Sequence, residues 1–327
     1  MNGGVLLKIN TVNGPADTSD LGATLMHEHI FNISPVFAGA FPDWWDQEAS
    51  IRKFVDHVER LKKYGLNTIV DASPITLGRN IQAVRRAAEL AGIHVIATTG
   101  VYFDEVPWMH IGTDPYYLAR FYIREITQGI MGTDSKAALV KCATDVPFGL
   151  SQTNQMMIAA AAIASTETGV PIITHANAEE RYGLEQADIL LGYGIPPHKI
   201  VIGHAFSSND LDYVRALCEK GVYVGCDQIG FPTLNSYENL AEMVGALCRE
   251  GYEDQIFLSH DSAVISDFGI AMAPVAHTDE SGMIGDYSQV FEIMPALLER
   301  EGVTHGQFEK IMRENPRRYL EQIPLRG

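Results

Sequence analysis

Four cysteines among 327 residues, with no C-x-x-C pair, are too scattered for a disulfide framework or a thiolate metal cluster. Cys142, Cys218, Cys226 and Cys248 are therefore expected to be reduced thiols of a cytoplasmic protein. Positive charge is also scarce: 24 Lys plus Arg stand against 41 Asp plus Glu, a formal charge of −17. Such a surface repels phosphate backbones and anionic lipid, which sets aside nucleic acid and membrane surfaces as partners. No apolar run approaches a membrane span, and the opening MNGGVLLKIN lacks the basic region of a secretory signal. There is no proline-, glycine- or serine-rich linker, low-complexity tract or internal repeat. Residues 1–327 are thus expected to form one domain, with residues 1–22 as its N-terminal β extension. A G-x-S-x-G elbow is missing too, which argues against a serine hydrolase.

What is present is alternation. ATLMHEH precedes the amphipathic SIRKFVDHVERLKKYG, in which Phe54, Val55, Val58 and Leu61 recur at helical spacing. NTIVDAS, HVIATTG, AALVK, VPIITH, KIVIGH, VYVGCD and QIFLSHD follow, each with a helical stretch after it. These strands are continuous apolar runs, as parallel strands covered on both faces are. Eight strand–helix units in a row predict an α/β fold of the (β/α)8 TIM-barrel type. The rival doubly wound sheet lacks its Gly-rich turn after the first strand.

A TIM barrel carries its chemistry at the C-terminal ends of the strands. The first strand carries His27 and His29, the fourth ends on Lys141, the fifth on His175, the sixth on His204 and the eighth on Asp261. Alternation along a strand turns His27 and His29 inward and Glu28 outward. The same rule separates His260 from Asp261, and matching the other ends puts Asp261 inside. H-E-x-x-H is excluded, because the histidine spacing is wrong and the segment is a strand. Taken singly, each histidine reads more readily as a packed or hydrogen-bonded residue than as a ligand. Four inward histidines and a carboxylate together form a polar cluster that needs a metal.

Lys141 ends an apolar strand, where an unpaired ammonium is costly. Desolvation favours the neutral amine, which can add carbon dioxide to give a carbamate able to bridge two metals. Two divalent cations bring +4, and the carbamate, Asp261 and one hydroxide bring −3.

With these residues in hand, the chain resembles the phosphotriesterase family of the amidohydrolase superfamily, in particular its phosphotriesterase-like lactonases. LMHEHI, ALVKCATD, PIITHANA, GLEQADIL, KIVIGHAFSSNDLDYV, IFLSHDSAV and the late ENPRRYL carry the likeness. The resemblance implies a binuclear centre: His27, His29 and Asp261 on a buried metal, and His175 with His204 on a more exposed one. N6-carboxylated Lys141 and a hydroxide would bridge the two. Zinc is the first expectation for the metals, with iron, cobalt and manganese chemically suitable. It implies attack by the bridging hydroxide, with Asp261 moving its proton and Tyr102 near the substrate oxygen.

The expected activity is that of a lactonase acting on N-acyl homoserine lactones (quorum quenching), with promiscuous organophosphate triester hydrolysis. A dedicated phosphotriesterase or aryl esterase is the alternative within the class, and a non-catalytic metal-containing binding protein the alternative outside it. One departure stands out: the family's Asp-Arg-Tyr-Gly reads Asp-Gln-Ile-Gly here, placing Gln228 where an arginine is usual. Val264, Ile265, Phe268 and Met272 lie after the eighth strand, in what reads as an apolar loop. They are expected either to cradle an acyl chain or to pack on the barrel. Trp44 and Trp45 suit a rim or an interface, and the resemblance implies a homodimer.

Overall fold

The computed structural model describes residues 7–103, 114–231, 233–267 and 285–322. A short antiparallel hairpin comes first, β1 (Lys8–Thr11) with β2 (Gly14–Asp17). The barrel strands then follow: β3 (Ala23–Asn32), β4 (Leu66–Asp71), β5 (His94–Gly100), β6 (Leu139–Thr144), β7 (Ile172–Ala176), β8 (Ile200–Ile202), β9 (Tyr223–Cys226), β10 (Ile256–Leu258) and β11 (Ala263–Ser266). Every neighbouring pair is parallel, in the order β10-β9-β8-β7-β6-β5-β4-β3-β11.

The ring closes through the eighth strand, which is broken in two. β10 pairs with β9 and β11 with β3. Residues 259–262 between them keep contact with β3: Asp261 N–H donates to His27 O at 3.0 Å, and His29 N–H to Ser262 O at 2.8 Å. Nine strand segments thus make eight barrel positions. The residues 263–266, read from the sequence as the start of a loop, are strand instead. Val264 is 1% exposed and packed in the outer core, so of the two roles considered for it, packing is the one it fills.

Helices lie between the strands, among them α2 (Gln47–Leu61), α3 (Ile81–Ala91), α4 (Pro115–Thr127), α5 (Gln152–Thr168), α7 (Leu211–Glu219) and α8 (Tyr237–Arg249), after a short α1 (Pro35–Ala40) and with α6 (Tyr182–Gly192) between α5 and α7. Asp46, Asn80, Asp114, Ser151, Asp210 and Ser236 cap six of them, each side chain accepting a free N–H of the first turn.

Two cores result. The larger lies between strands and helices; the smaller fills the barrel with one residue from each position: Met26, Val70, Ile96, Leu139, Ile173, Val201, Tyr223 and Phe257. Tyr319 of the late helix spanning Asn315–Leu320 plugs this layer, its ring 5.4 Å from Tyr223 and 5.6 Å from Phe257. Because side chains alternate, residues two further along each strand form the next layer up, and the site is built there. In β3 the pairing with β4 slips between Leu25 and Glu28, which lets Met26 join the inner core while His27 and His29 also face inward.

Candidate metal centre

Above the apolar layer, Lys141 stands two residues past Leu139, His175 two past Ile173, and Asp227 four past Tyr223. Gly203 and Gly225 leave the room. A Cβ on Gly203 would lie 2.2 Å from Thr174 O and 3.2 Å from His27 Cε1. One on Gly225 would lie 2.4 Å from Asp227 Oδ2. Only a residue without a side chain permits these approaches.

His27, Lys141 and His204 are buried, and His29 is 6% exposed. His29 Nε2 lies 3.0 Å and His27 Nε2 3.5 Å from Asp261 Oδ1. Lys141 Nζ sits 2.7 Å from His27 Nε2. His204 Nε2 is buried without a hydrogen-bond partner and lies 3.8 Å from Asp261 Oδ2. His175 is more open; its ring centroid is 4.4 Å from that of His204. All six strand-end residues singled out from the sequence therefore meet in one chamber. His204 and Asp261 take left-handed backbone conformations, φ 61° and 55°, which non-glycine residues seldom adopt outside over-determined sites.

Carboxylates and hydroxyls behind the histidines fix which nitrogen faces inward. Asp227 Oδ2 accepts from His27 Nδ1 at 2.7 Å, and its Oδ1 from His204 Nδ1 at 2.9 Å. Ser73 Oγ lies 2.7 Å from His29 Nδ1. Three Nε2 atoms are thereby left for the chamber. At His175 the arrangement is reversed: Asp145 Oδ2 takes Nε2 at 2.7 Å, and Nδ1 is 3.0 Å from the Tyr102 hydroxyl. Asn177 Nδ2 donates to the other Asp145 oxygen at 2.7 Å.

Electrostatics agree with this geometry. Burial, and then the Lys141 cation, push His27 down to about 3. Burial lowers Lys141 to about 8, against the pull of Asp261 and Asp227. Burial and then His204 take His175 to about 4. At His204 burial is outweighed by Asp227 and Asp261, and its pKa is raised. Burial would raise Asp261, but His204, His29 and His27 hold it well below the usual carboxylate range. Neutral imidazoles at His27 and His175, an ionised Asp261 and a lysine lowered to about 8 form a donor set suited to cations. An orphaned buried Nε2 beside converging donors fits a metal, and His27, His29 and Asp261 offer ligand atoms within 4.8 Å of one another.

Gln228 reaches the centre, its Nε2 donating to Asp261 Oδ2 at 2.9 Å. Ile265 is partly buried against the outer core; Phe268 and Met272 lie outside the described residues. Glu28 turns outward as expected, accepting from His260 Nδ1 at 2.8 Å. Asp227 and Asp145 were not among the site residues read from the sequence. The signal was there for Asp227, which ends VYVGCD as Asp261 ends QIFLSHD. Asp145 follows its strand with no such cue.

The phosphotriesterase family model matches residues 7–320. An aryldialkylphosphatase of Saccharolobus solfataricus is 34% identical over 305 residues, covering 93% of this chain and 96% of that protein. A phosphotriesterase homology protein of Mycobacterium tuberculosis is 34% identical over 326 residues, covering 96% and 98%. The solved structure of the phosphotriesterase from Mycobacterium tuberculosis superposes with a TM-score of 0.87 at 32% identity, over 96% of this chain and 98% of that one.

Proposed function

Because the chain belongs to the phosphotriesterase family, and is a metal-dependent hydrolase, we propose that its substrates are lactones, N-acyl homoserine lactones among them, in a quorum-quenching role. The observation that supports this reading is the Tyr102 hydroxyl, 3.0 Å from His175 Nδ1 at the open side of the cluster. There it can donate to a carbonyl oxygen as charge develops, or to the oxygen that leaves when a ring opens.

His27, His29 and Asp261 would hold a buried divalent cation. His175 Nδ1 and His204 Nε2 would hold a more exposed one, and Lys141, as its carbon dioxide adduct N6-carboxylysine, would join the two. Zinc suits these donors, as do iron, cobalt and manganese. Bound cations supply Lewis acidity toward a substrate oxygen and an acidified water. Asp261 then takes a proton from the attacking water and delivers it to the departing oxygen. Gln228 and Ile265 border the substrate, with Phe268 and Met272 as further proposed contacts. Residues 1–327 would act as a single domain, in a cytoplasmic homodimer. Among the described residues no helix is long and apolar enough to cross a membrane, and all four cysteines are buried and free.

The aryldialkylphosphatase among the relatives favours a second reading, a dedicated phosphotriesterase or aryl esterase. Acid release in a weakly buffered assay separates the two. The substrates are short- and long-chain N-acyl homoserine lactones, aliphatic lactones and paraoxon, with metal-loaded, chelator-stripped and Lys141→Ala protein. Metal-dependent opening of lactones is the expected result; activity confined to paraoxon would sink the lactonase assignment.

A further inference from the structure

Glu28 stands on β3 between two residues of the metal cluster, yet its side chain leaves the chamber for the outer face, where it is fully buried. Four hydrogen bonds reach its carboxylate there. Oε1 accepts from Ser259 Oγ at 3.1 Å, from His260 N–H at 2.9 Å and from His260 Nδ1 at 2.8 Å. Oε2 accepts from Ser262 N–H at 3.0 Å. The direction at the imidazole is set by its far side, where Val290 N–H lies 3.1 Å from His260 Nε2. A backbone N–H can only donate, so Nε2 accepts and Nδ1 carries the hydrogen that Glu28 receives.

All four donors come from residues 259–262, the break in the eighth strand. A buried carboxylate is costly unless its oxygens are satisfied, so this pairing constrains both partners. The two backbone donors, on His260 and Ser262, flank Asp261 on either side. Asp261 N–H is taken by His27 O at 3.0 Å, and Ser259 Oγ accepts from His27 N–H at 2.9 Å. The Asp261 side chain projects the other way, to His29 Nε2 at 3.0 Å, and its φ is 55°. Backbone N–H groups of a turn through the left-handed region form a concavity for an anion. A non-glycine residue stays in that region only where its surroundings over-determine it. Here the anion is the Glu28 carboxylate.

We infer that Glu28 and His260 are a positioning pair for Asp261. From the outer face of the barrel they fix the turn 259–262 in the backbone that aims Asp261 at His27 and His29, and neither side chain enters the chamber. The inference rests on the proposed reading of Asp261 as a ligand of the buried metal. It adds a pair of residues that sets how tightly that position binds.

The test uses full-length protein, with metal affinity read by chelator competition and with kcat and KM on a lactone determined separately. Glu28→Gln keeps the shape but brings an NH2 against Ser262 N–H or, turned over, against His260 N–H. It is expected to weaken binding at the proposed buried position about 10- to 100-fold, and at the exposed one by less than about threefold. Lactone kcat should fall about tenfold or more with KM within about threefold, and the visible spectrum of cobalt-loaded protein should change. A merely structural role would lower Tm of the metal-free protein and move none of these below the melt.

His260→Leu and His260→Asn give a second comparison that leaves Glu28 in place. Both remove the acceptor at Nε2, but only His260→Asn keeps a donor beside Glu28. It is therefore expected to bind the buried metal about tenfold more tightly than His260→Leu does. If Glu28→Gln does not fold, this pair decides. Folded Glu28→Gln with both affinities and kcat within about twofold of wild type overturns the inference and leaves the hydrolase reading intact. So does equal metal affinity in His260→Leu and His260→Asn. Wild type that binds no metal and opens neither lactones nor paraoxon overturns the inference together with the proposed function.

Discussion

Lys141 Nζ and His27 Nε2 lie 2.7 Å apart inside the barrel, two nitrogen bases at one hydrogen-bond distance. One must donate and the other accept, so the pair holds fewer protons than two free bases would. Burial lowers both, Lys141 to about 8 and His27 to about 3, which leaves His27 neutral and the amine close to release of its proton.

Lys141 is therefore expected to take up carbon dioxide when metal and bicarbonate are supplied. Carbon-13 bicarbonate should give a carbamate resonance in wild type and none in Lys141→Met. That variant should lose at least about a hundredfold in activity and fall short of two metals per chain. Its metal-free form is expected to melt no lower than wild type, because a buried cation has been replaced by an apolar side chain. A variant that keeps two metals and full activity would rule out the bridging role.

In the proposed two-metal arrangement Asp227 is expected to act on both positions at once, since its two oxygens orient His27 and His204. Asp227→Asn keeps shape but weakens both contacts, and metal affinity should fall about 10- to 100-fold. Metal content after dialysis against graded chelator reads this out. Loss of one metal with the other unaffected would contradict it.

Tyr102→Phe removes the hydroxyl beside His175 and leaves the ring packing on Phe103, 4.6 Å between centroids. A fall of about tenfold in lactone kcat is expected, with metal content unchanged. Unchanged kcat would return Tyr102 to a packing role.

His57 lies away from the metal centre in α2, 8% exposed, and its Nδ1 is among the buried atoms without a hydrogen bond. Burial first, then Arg60 and Lys53, lower it to about 4 from 6.5. Between these values the unfolded chain binds the proton that the folded one refuses. Stability is thus expected to fall as pH drops from about 6.5 toward 4, by at most about 1.4 kcal/mol per pH unit for this group. His57→Gln should flatten the pH dependence of Tm in metal-free protein over that range. Parallel curves for variant and wild type would refute the assignment.

The strand order and the inward-facing strand-end side chains were legible in the residues because both follow from short periods. Apolar runs of a few residues mark buried parallel strands, and alternation decides which of His27, Glu28 and His29 face inward. The loop reading of residues 263–266 failed for a non-local reason. Their partner is β3, more than two hundred residues earlier, and a break at 259–262 hides the continuity of the strand.

By itself, then, the sequence determined the eight-unit barrel and the six strand-end residues, both expressed by local pattern, while Gln228 stood out only against the family the chain resembles. Tertiary structure alone decided which nitrogen of each histidine faces the chamber. The atoms that decide it, on Ser73, Asp145 and Asp227, come from other strand ends. It also decided the left-handed backbone of His204 and Asp261 and the meeting of Ser207, Gln228 and Asp261. Parallel pairing of successive strands brings those residues together from separate segments, and no periodicity within one segment records such a meeting.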